Sequence, residues 1–270
     1  MLTLNRSVLV VDDNEMNRDL LSRRMEQEGY HVAAASGGKQ ALEILRQERF
    51  DLMLLDLMMP DMDGFEVLQQ IKADAGHSNM PVMMITADND VDSVMRCIKL
   101  GAVDYIVKPI NMAVLKSRVW GHIAKANLQR NVTAGKISVT SEGARILAVD
   151  DLALNRDLLA KRLTKIGYIV KTAESADAAL RVLGMEVIHL MLLDLMMPDV
   201  DGFQLLEQVR KNSRFAHLPV IILSGEDSSE AMTKGLELGA HDYIVKPFYV
   251  PILKSRIDAC LAAERQRAHP

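Results

Sequence analysis

The sequence predicts two α/β domains, each a doubly wound parallel sheet of five strands. Three observations carry this expectation. The decapeptide Asp-Leu-Met-Met-Pro-Asp-Met-Asp-Gly-Phe at 56–65 recurs with one substitution at 194–203, so one fixed offset, that from 56 to 194, maps the first half of the chain onto the second. Each copy alternates short, continuous apolar runs with longer amphipathic ones, as parallel strands covered on both faces by helices require. A repeat this long signals whole domains rather than a solenoid, whose units run to about 20–50 residues. The 270 residues fit two domains of roughly 120–130 residues and a connector.

In chain order, Ser-Val-Leu-Val-Val predicts a strand at 7–11 that closes on Asp12 and Asp13, followed by a helix over 15–28. A strand at 31–35 and a helix over 38–48 come next. Leu-Met-Leu-Leu marks a strand at 51–55 that closes on Asp56, before a helix over 64–74. Val-Met-Met-Ile marks a strand at 81–85 that leads to Thr86, and a helix covers 91–100. The last pair is a strand at 103–107, ending near Lys108, and a helix over 112–129. The same offset generates the second set. Right-handed crossovers leave few ways to assemble such units. In the flavodoxin-like strand order 2-1-3-4-5, the first and third strands are neighbours at the topological switch point, with ligands beyond their carboxyl ends. The domains are expected at 1–130 and 144–270. Small and polar residues with two glycines at 131–143 form the connector. Leu115-Lys116-Ser117-Arg118 returns as Leu253-Lys254-Ser255-Arg256 in the two final helices.

Composition narrows the function. Hydrophobic residues make up 49% and charged residues 25%, as in a globular protein, and the net charge is −4. The basic residues are scattered rather than striped, which argues against nucleic-acid binding. No apolar run reaches the ~18 residues of a membrane span, and no signal peptide is visible, so a cytoplasmic address is expected. Cys97 and Cys260 sit at non-equivalent places in the two copies, which argues against a shared disulfide or metal role. The 17 methionines read as core filler. None of the seven histidines has a counterpart in the other copy.

The offset also carries Asp12-Asp13 to Asp150-Asp151, Thr86 to Ser224, Tyr105 to Tyr243, and Lys108-Pro109 to Lys246-Pro247. In the predicted topology three carboxylates converge in one crevice. Their mutual repulsion calls for a cation. Hard oxygen ligands in an open crevice suit Mg²⁺, with Mn²⁺ as a substitute. Lys108 brings a fixed positive charge and Thr86 a hydroxyl to the same rim. Such a rim can hold a phosphoryl group by its oxygens.

These residues resemble the receiver domains of two-component response regulators, over roughly 5–125 and 143–265. The resemblance implies that Asp56 and Asp194 are phosphoacceptors that take a phosphoryl group from a histidine kinase or phosphotransfer protein. It implies that Asp13 and Asp151 ligate Mg²⁺ together with the acceptors and the backbone carbonyls of Met58 and Met196, while Asp12 and Asp150 act through water. Thr86 and Ser224 would be drawn inward on phosphorylation, Tyr105 and Tyr243 would rotate, and Lys108 and Lys246 would pair with the phosphoryl group. Pro109 and Pro247 resemble the family's cis-proline. The fourth helix, fifth strand and fifth helix would carry the signal to a downstream protein or a dimer mate.

Apolar Met58 and Met196, two residues after the acceptors, cannot position an attacking water, which predicts slow self-dephosphorylation. Asp88 and Glu226, two residues past Thr86 and Ser224, are further candidates for tuning that lifetime. Asn14, Glu15 and Ala87 become Leu152, Ala153 and Gly225 in the second copy, so donor preference and lifetime are expected to differ between two competent sites. No output domain, histidine phosphotransfer element or Gly-x-x-x-x-Gly-Lys loop is visible, so no separate enzyme activity is expected. The alternative is the receiver portion of a longer regulator whose output is a nucleotide (diguanylate or adenylate) cyclase or a serine phosphatase, with one receiver serving mainly as adaptor or dimerisation module.

Overall fold

A computed structural model describes residues 6–87, 91–133, 143–198 and 200–268 of the chain. The chain divides into two compact units, Met1–Asn127 and Leu128–Pro270. In the first, β1 (Ser7–Val11), α1 (Glu15–Gln27), β2 (His31–Ala35), α2 (Gly38–Gln47), β3 (Leu52–Asp56), α3 (Gly64–Ala73), β4 (Val82–Thr86), α4 (Val91–Lys99) and β5 (Asp104–Val107) alternate along the chain, and α5 (Met112–Thr133) begins there and runs past the Asn127 boundary. The second contains β6 (Arg145–Val149), α6 (Ala153–Lys165), β7 (Ile169–Ala173), α7 (Ala176–Met185), β8 (Leu190–Asp194), α8 (Gly202–Lys211), β9 (Val220–Ser224), α9 (Ser229–Glu237), β10 (Asp242–Val245) and α10 (Val250–Ala268). The sheet orders are β2-β1-β3-β4-β5 and β10-β9-β8-β6-β7, and every pairing is parallel. Both are the expected 2-1-3-4-5 order.

The continuous apolar runs become the inner strands because each side of the sheet is covered. Leu9, Val11, Met53, Leu55, Val82 and Met84 face Ala41, Leu45, Val67, Leu68 and Ile71 of α2 and α3. The intervening residues Val8, Val10, Leu52, Leu54, Met83 and Ile85 face Leu21, Met25, Leu115, Val119 and Ile123 of α1 and α5. The second unit repeats this division, with Met191, Leu193, Val220 and Ile222 on one side and Leu190, Leu192, Ile221 and Leu223 on the other. Each such fully buried side chain contributes about 1.5–3 kcal/mol relative to exposure. All five residues of β3, β4, β8 and β9 are buried, whereas the edge strands β2 and β7 are half-exposed.

Several boundaries differ by one residue from expectation. The third and fourth strands end on Asp56 and Thr86 themselves, because ladder pairing continues to Asp56↔Ile85 and Thr86↔Val107. A polar side chain does not stop a backbone ladder. Helix α5 extends to Thr133, three residues into the expected connector, while 134–142 lie outside the described residues. Among the described residues no helix is long and apolar enough to cross a membrane. Cys97 and Cys260 are buried free thiols, and burial pushes the Cys97 thiol up to about 11.

Candidate functional site

The site of the first unit lies where β1 and β3 end side by side. Asp56 is the last residue of β3, and Asp12 follows β1, its amide still donating to the Ala35 carbonyl at 3.3 Å. Asp12, Asp13 and Asp56 each offer an oxygen within 4.8 Å of the others, and Asp150, Asp151 and Asp194 do the same in the second unit. Asp12, Asp56, Asp150 and Asp194 are buried, whereas Asp13 is exposed and Asp151 half-exposed.

Lysine closes each crevice. The Lys108 ammonium donates to Oδ2 of Asp12 at 3.1 Å and of Asp56 at 2.9 Å. Lys246 donates to Oδ2 of Asp150 at 2.9 Å and of Asp194 at 2.7 Å. Burial raises the Asp56 carboxyl above its ordinary value despite the Lys108 hydrogen bond, and the charge of Asp12 adds to the rise. Asp194 is raised in the same way. Burial works against the charge of Lys108 and Lys246, but their paired carboxylates outweigh it and raise both ammonium groups. The two directions agree physically: each ammonium is held between two buried carboxylates and keeps its proton, while burial makes the acceptors Asp56 and Asp194 resist ionising. Asp150 is lowered because Lys246, the Leu152 amide and Asn155 together overcome its burial.

The repeated decapeptide supplies the scaffold beneath the acceptor. Asp63 caps α3: its Oδ1 accepts from the Glu66 amide at 2.8 Å while its own amide donates to Glu66 Oε2 at 3.2 Å, a capping box. Asp201 caps α8 through the Gln204 amide at 2.8 Å. Gly64 is required by close approach, since a Cβ there would stand 2.5 Å from the Asp56 carbonyl oxygen and 2.8 Å from Leu57 Cα. Gly202 packs against the Asp194 carbonyl in the same way. Phe65 lies under the Arg96 guanidinium at 4.0 Å, and Phe203 under the Lys234 ammonium at 4.2 Å, cation–π contacts that tie α3 to α4 and α8 to α9.

The remaining expected residues surround these crevices unevenly. Thr86 and Ser224 are buried at the ends of β4 and β9. Ser224 Oγ accepts from the Glu226 amide at 3.1 Å. Tyr243 is 1% exposed and its hydroxyl donates to the Glu226 carbonyl at 2.8 Å, whereas Tyr105 is half-buried. The neighbour at the aligned helical position differs. Gly235 in α9 faces Tyr243, where a Cβ would stand 3.5 Å from Tyr243 Cδ2 and 2.6 Å from Ile222 Cδ1, and Cys97 holds that place in α4. The Glu226 carboxylate accepts from Ser228 Oγ at 2.9 Å, so it is engaged at the start of α9. Met58 and Met196 project outward at 70% and 67% exposure, and the Met196 amide donates to Asp194 Oδ1 at 3.3 Å. The Lys108–Pro109 and Lys246–Pro247 peptide bonds are both cis. Asp88 lies outside the described residues.

Two pairs of residues escaped the sequence reading. Asn155 Nδ2 donates to both carboxylate oxygens of Asp150 at 3.1 Å, and Asn17 Nδ2 reaches Asp12 Oδ1 at 3.5 Å. Arg18 and Arg156 grip the backbone of the acid pairs. A signal was present: Asn-Arg-Asp-Leu-Leu is identical at 17–21 and 155–159.

Three carboxylates and one ammonium leave each crevice with excess negative charge, and the carboxylates of Asp13 and Asp151 engage no hydrogen-bond or ion-pair partner among the described residues. An all-oxygen donor set of this kind fits a hard divalent cation.

The chain is similar to several known proteins. PleD, a response regulator of Caulobacter vibrioides, is 28% identical over 275 residues, covering 97% of this chain and 60% of PleD. This chain thus spans about 60% of the length of that relative. A probable cyclic di-GMP phosphodiesterase of Vibrio cholerae is 42% identical over 117 residues, 43% of this chain and 26% of its own. Among solved structures, a probable two-component system response regulator/GGDEF domain protein aligns with 97% of this chain and 100% of its own at 26% identity and a TM-score of 0.43. The family model of the response regulator receiver domain matches residues 8–120 and 146–258. With a complete crevice in each matched segment, the chain belongs to the response regulator receiver domain family, in two copies.

Proposed function

We propose that this chain works in a two-component phosphorelay by accepting phosphoryl groups on Asp56 and Asp194. One observation carries the reading: in each unit a buried aspartate at the end of the third strand has Oδ2 held by lysine, at 2.9 Å and 2.7 Å, with two further acids beside it. In the transfer, a carboxylate oxygen of the acceptor attacks the phosphorus of a phosphohistidine on a histidine kinase or phosphotransfer protein. The new P–O bond forms as the N–P bond breaks, and the departing imidazole takes up a proton.

A bound Mg²⁺, or Mn²⁺ in its place, would neutralise the crowded carboxylates and the phosphoryl oxygens. Asp13, Asp56 and the Met58 carbonyl would hold it in the first unit, and Asp151, Asp194 and the Met196 carbonyl in the second, with Asp12 and Asp150 reached through water. Lys108 and Lys246 follow the charge from carboxylate to phosphoryl oxygen. Thr86 and Ser224 offer hydroxyl donors at the next strand. Tyr105 and Tyr243 carry the change toward the faces α4-β5-α5 and α9-β10-α10, where a downstream protein or a second copy reads it. The chain acts as a cytoplasmic acceptor and switch, with no separate catalytic turnover.

A second reading has specific support in length. Because the chain spans about 60% of PleD, it also fits the receiver portion of a longer regulator, with a cyclase or phosphatase as output and one receiver as adaptor.

Incubation with Mg²⁺ and a small acyl-phosphate donor, followed by intact mass, tests the acceptor assignment. Two phosphoryl additions are expected, falling to one in Asp56→Asn or Asp194→Asn and to none in the double variant. Labelling that survives in the double variant would remove both aspartates from the role.

A further inference from the structure

In an extended strand, successive side chains and carbonyls point to opposite sides. Asp12 and Asp13 nevertheless send both carboxylates to one crevice, within 4.8 Å of each other and of Asp56. The backbone must therefore turn between them. One nitrogen of the Arg18 guanidinium, Nη1, donates to the Asp12 carbonyl at 2.8 Å and to the Asp13 carbonyl at 3.3 Å. Two consecutive carbonyls thus face the same side, bridged by a single donor group. Arg156 Nη1 makes the same bridge to Asp150 and Asp151, at 2.6 Å and 2.8 Å.

The placement runs against helix electrostatics. Arg18 is the fourth residue of α1 and Arg156 the fourth of α6, where the helix dipole favours anions and disfavours cations. A cation kept there twice has an offsetting use. Its bonds go to carbonyls rather than carboxylates, so the carboxylate oxygens stay available to lysine and to a metal. Such charge-assisted hydrogen bonds are among the strong ones.

We propose that Arg18 and Arg156 are positioning residues for the divalent-cation sites: each fixes the peptide between the paired acids so that both carboxylates converge on the acceptor. This rests on the metal-assisted acceptor reading above, and the two can fail separately. Positioning and simple charge predict opposite signs. A guanidinium beside a cation site repels the cation, so by charge alone its removal tightens binding. If it holds the ligands in place, removal weakens binding, as loss of a group that orients ligands does, by about 10- to 100-fold.

The experiment is a Mn²⁺ titration of the full chain, reading free ion by electron paramagnetic resonance, for wild type, Arg18→Met, Arg156→Met and the double variant, with thermal unfolding in chelator as the fold control. The expected result is two sites in wild type, one weakened about 10- to 100-fold in each single variant, and both weakened in the double variant. Arg18→Lys and Arg156→Lys, which keep the charge without the planar fork, are expected between wild type and Met, and they carry the comparison if a Met variant does not fold. Unchanged or tighter Mn²⁺ binding in folded Met variants, or wild-type affinity in Lys variants beside tighter Met variants, overturns the positioning role. A wild-type chain that binds no Mn²⁺ overturns the metal-site reading itself and this proposal with it.

Discussion

The Lys108 ammonium stands 2.9 Å from Oδ2 of Asp56 and works against the cost of burying this acid. Lys108→Met leaves Asp12 and Asp56 facing each other without it. Stability near pH 7 is expected to fall by about 1–3 kcal/mol, measured by urea unfolding in chelator. Because the folded Lys108 pKa is raised from 10.5, its contribution is fully present below the unfolded value and is lost as pH rises through the folded one. On the acid side, protonation of the carboxyls removes the attraction, so the two chains should converge near pH 3. A penalty of equal size at pH 3 and pH 7 would contradict this account.

Asp56→Asn and Asp194→Asn should stabilise the chain in chelator at neutral pH, each by on the order of 1 kcal/mol. Burial raises both carboxyls above 3.8 in the folded state. A raised acid favours folding fully below its unfolded pKa and loses that contribution as pH rises through its folded pKa. The advantage of each variant should therefore open as pH rises from about 4 toward 7, and saturating Mg²⁺ should shrink it. Thermal unfolding across pH checks the sign.

At the start of α1, Asn14 Oδ1 accepts from the Asn17 amide at 3.1 Å, while Leu152 caps α6 with no side-chain hydrogen bond and is 57% exposed. Leu152→Asn should restore the cap and stabilise the second unit by about 0.5–2 kcal/mol. The reverse change, Asn14→Leu, should cost a similar amount in the first. Denaturant unfolding of both variants measures the pair, and equal stabilities would remove the capping explanation.

Met58 lies at the exposed rim two residues beyond Asp56. Met58→Asn gives that rim an amide able to orient water, so the aspartyl phosphate of the first unit should decay severalfold faster while that of the second is unchanged. Loss of phosphoryl mass with time, in a chain carrying Asp194→Asn, follows the first site alone. A lifetime equal to or longer than that of the parent would count against the idea.

Much of this arrangement was legible because backbone periodicity and repeated polar landmarks are both one-dimensional signals. The run Leu52-Met53-Leu54-Leu55 marks an inner strand wherever it occurs, and Asp56 had to close it. What the sequence did not reveal depends on contacts across the fold. Arg18 reads as one more solvated helix residue until the turn at Asp12-Asp13 brings two carbonyls to it. Tyr105 and Tyr243 share the string Asp-Tyr-Ile-Val, yet their burial differs beside Cys97 and Gly235, residues from another element. The expected end of the last helix of the first copy also fell short. Polar residues after Leu128 weaken an amphipathic pattern without forbidding helical hydrogen bonds, and α5 continues to Thr133.

Among the described residues, each unit contains its own constellation of three acids and one lysine. If both aspartates accept a phosphoryl group as proposed, the chain has four settings: empty, first only, second only, and both. The two middle settings weigh the same and carry the same charge, yet they differ in which helix caps, which tyrosine and which rim surround the loaded aspartate. A reader that touches only one unit would count events on a single line, and a reader that touches both would distinguish which line had been signalled.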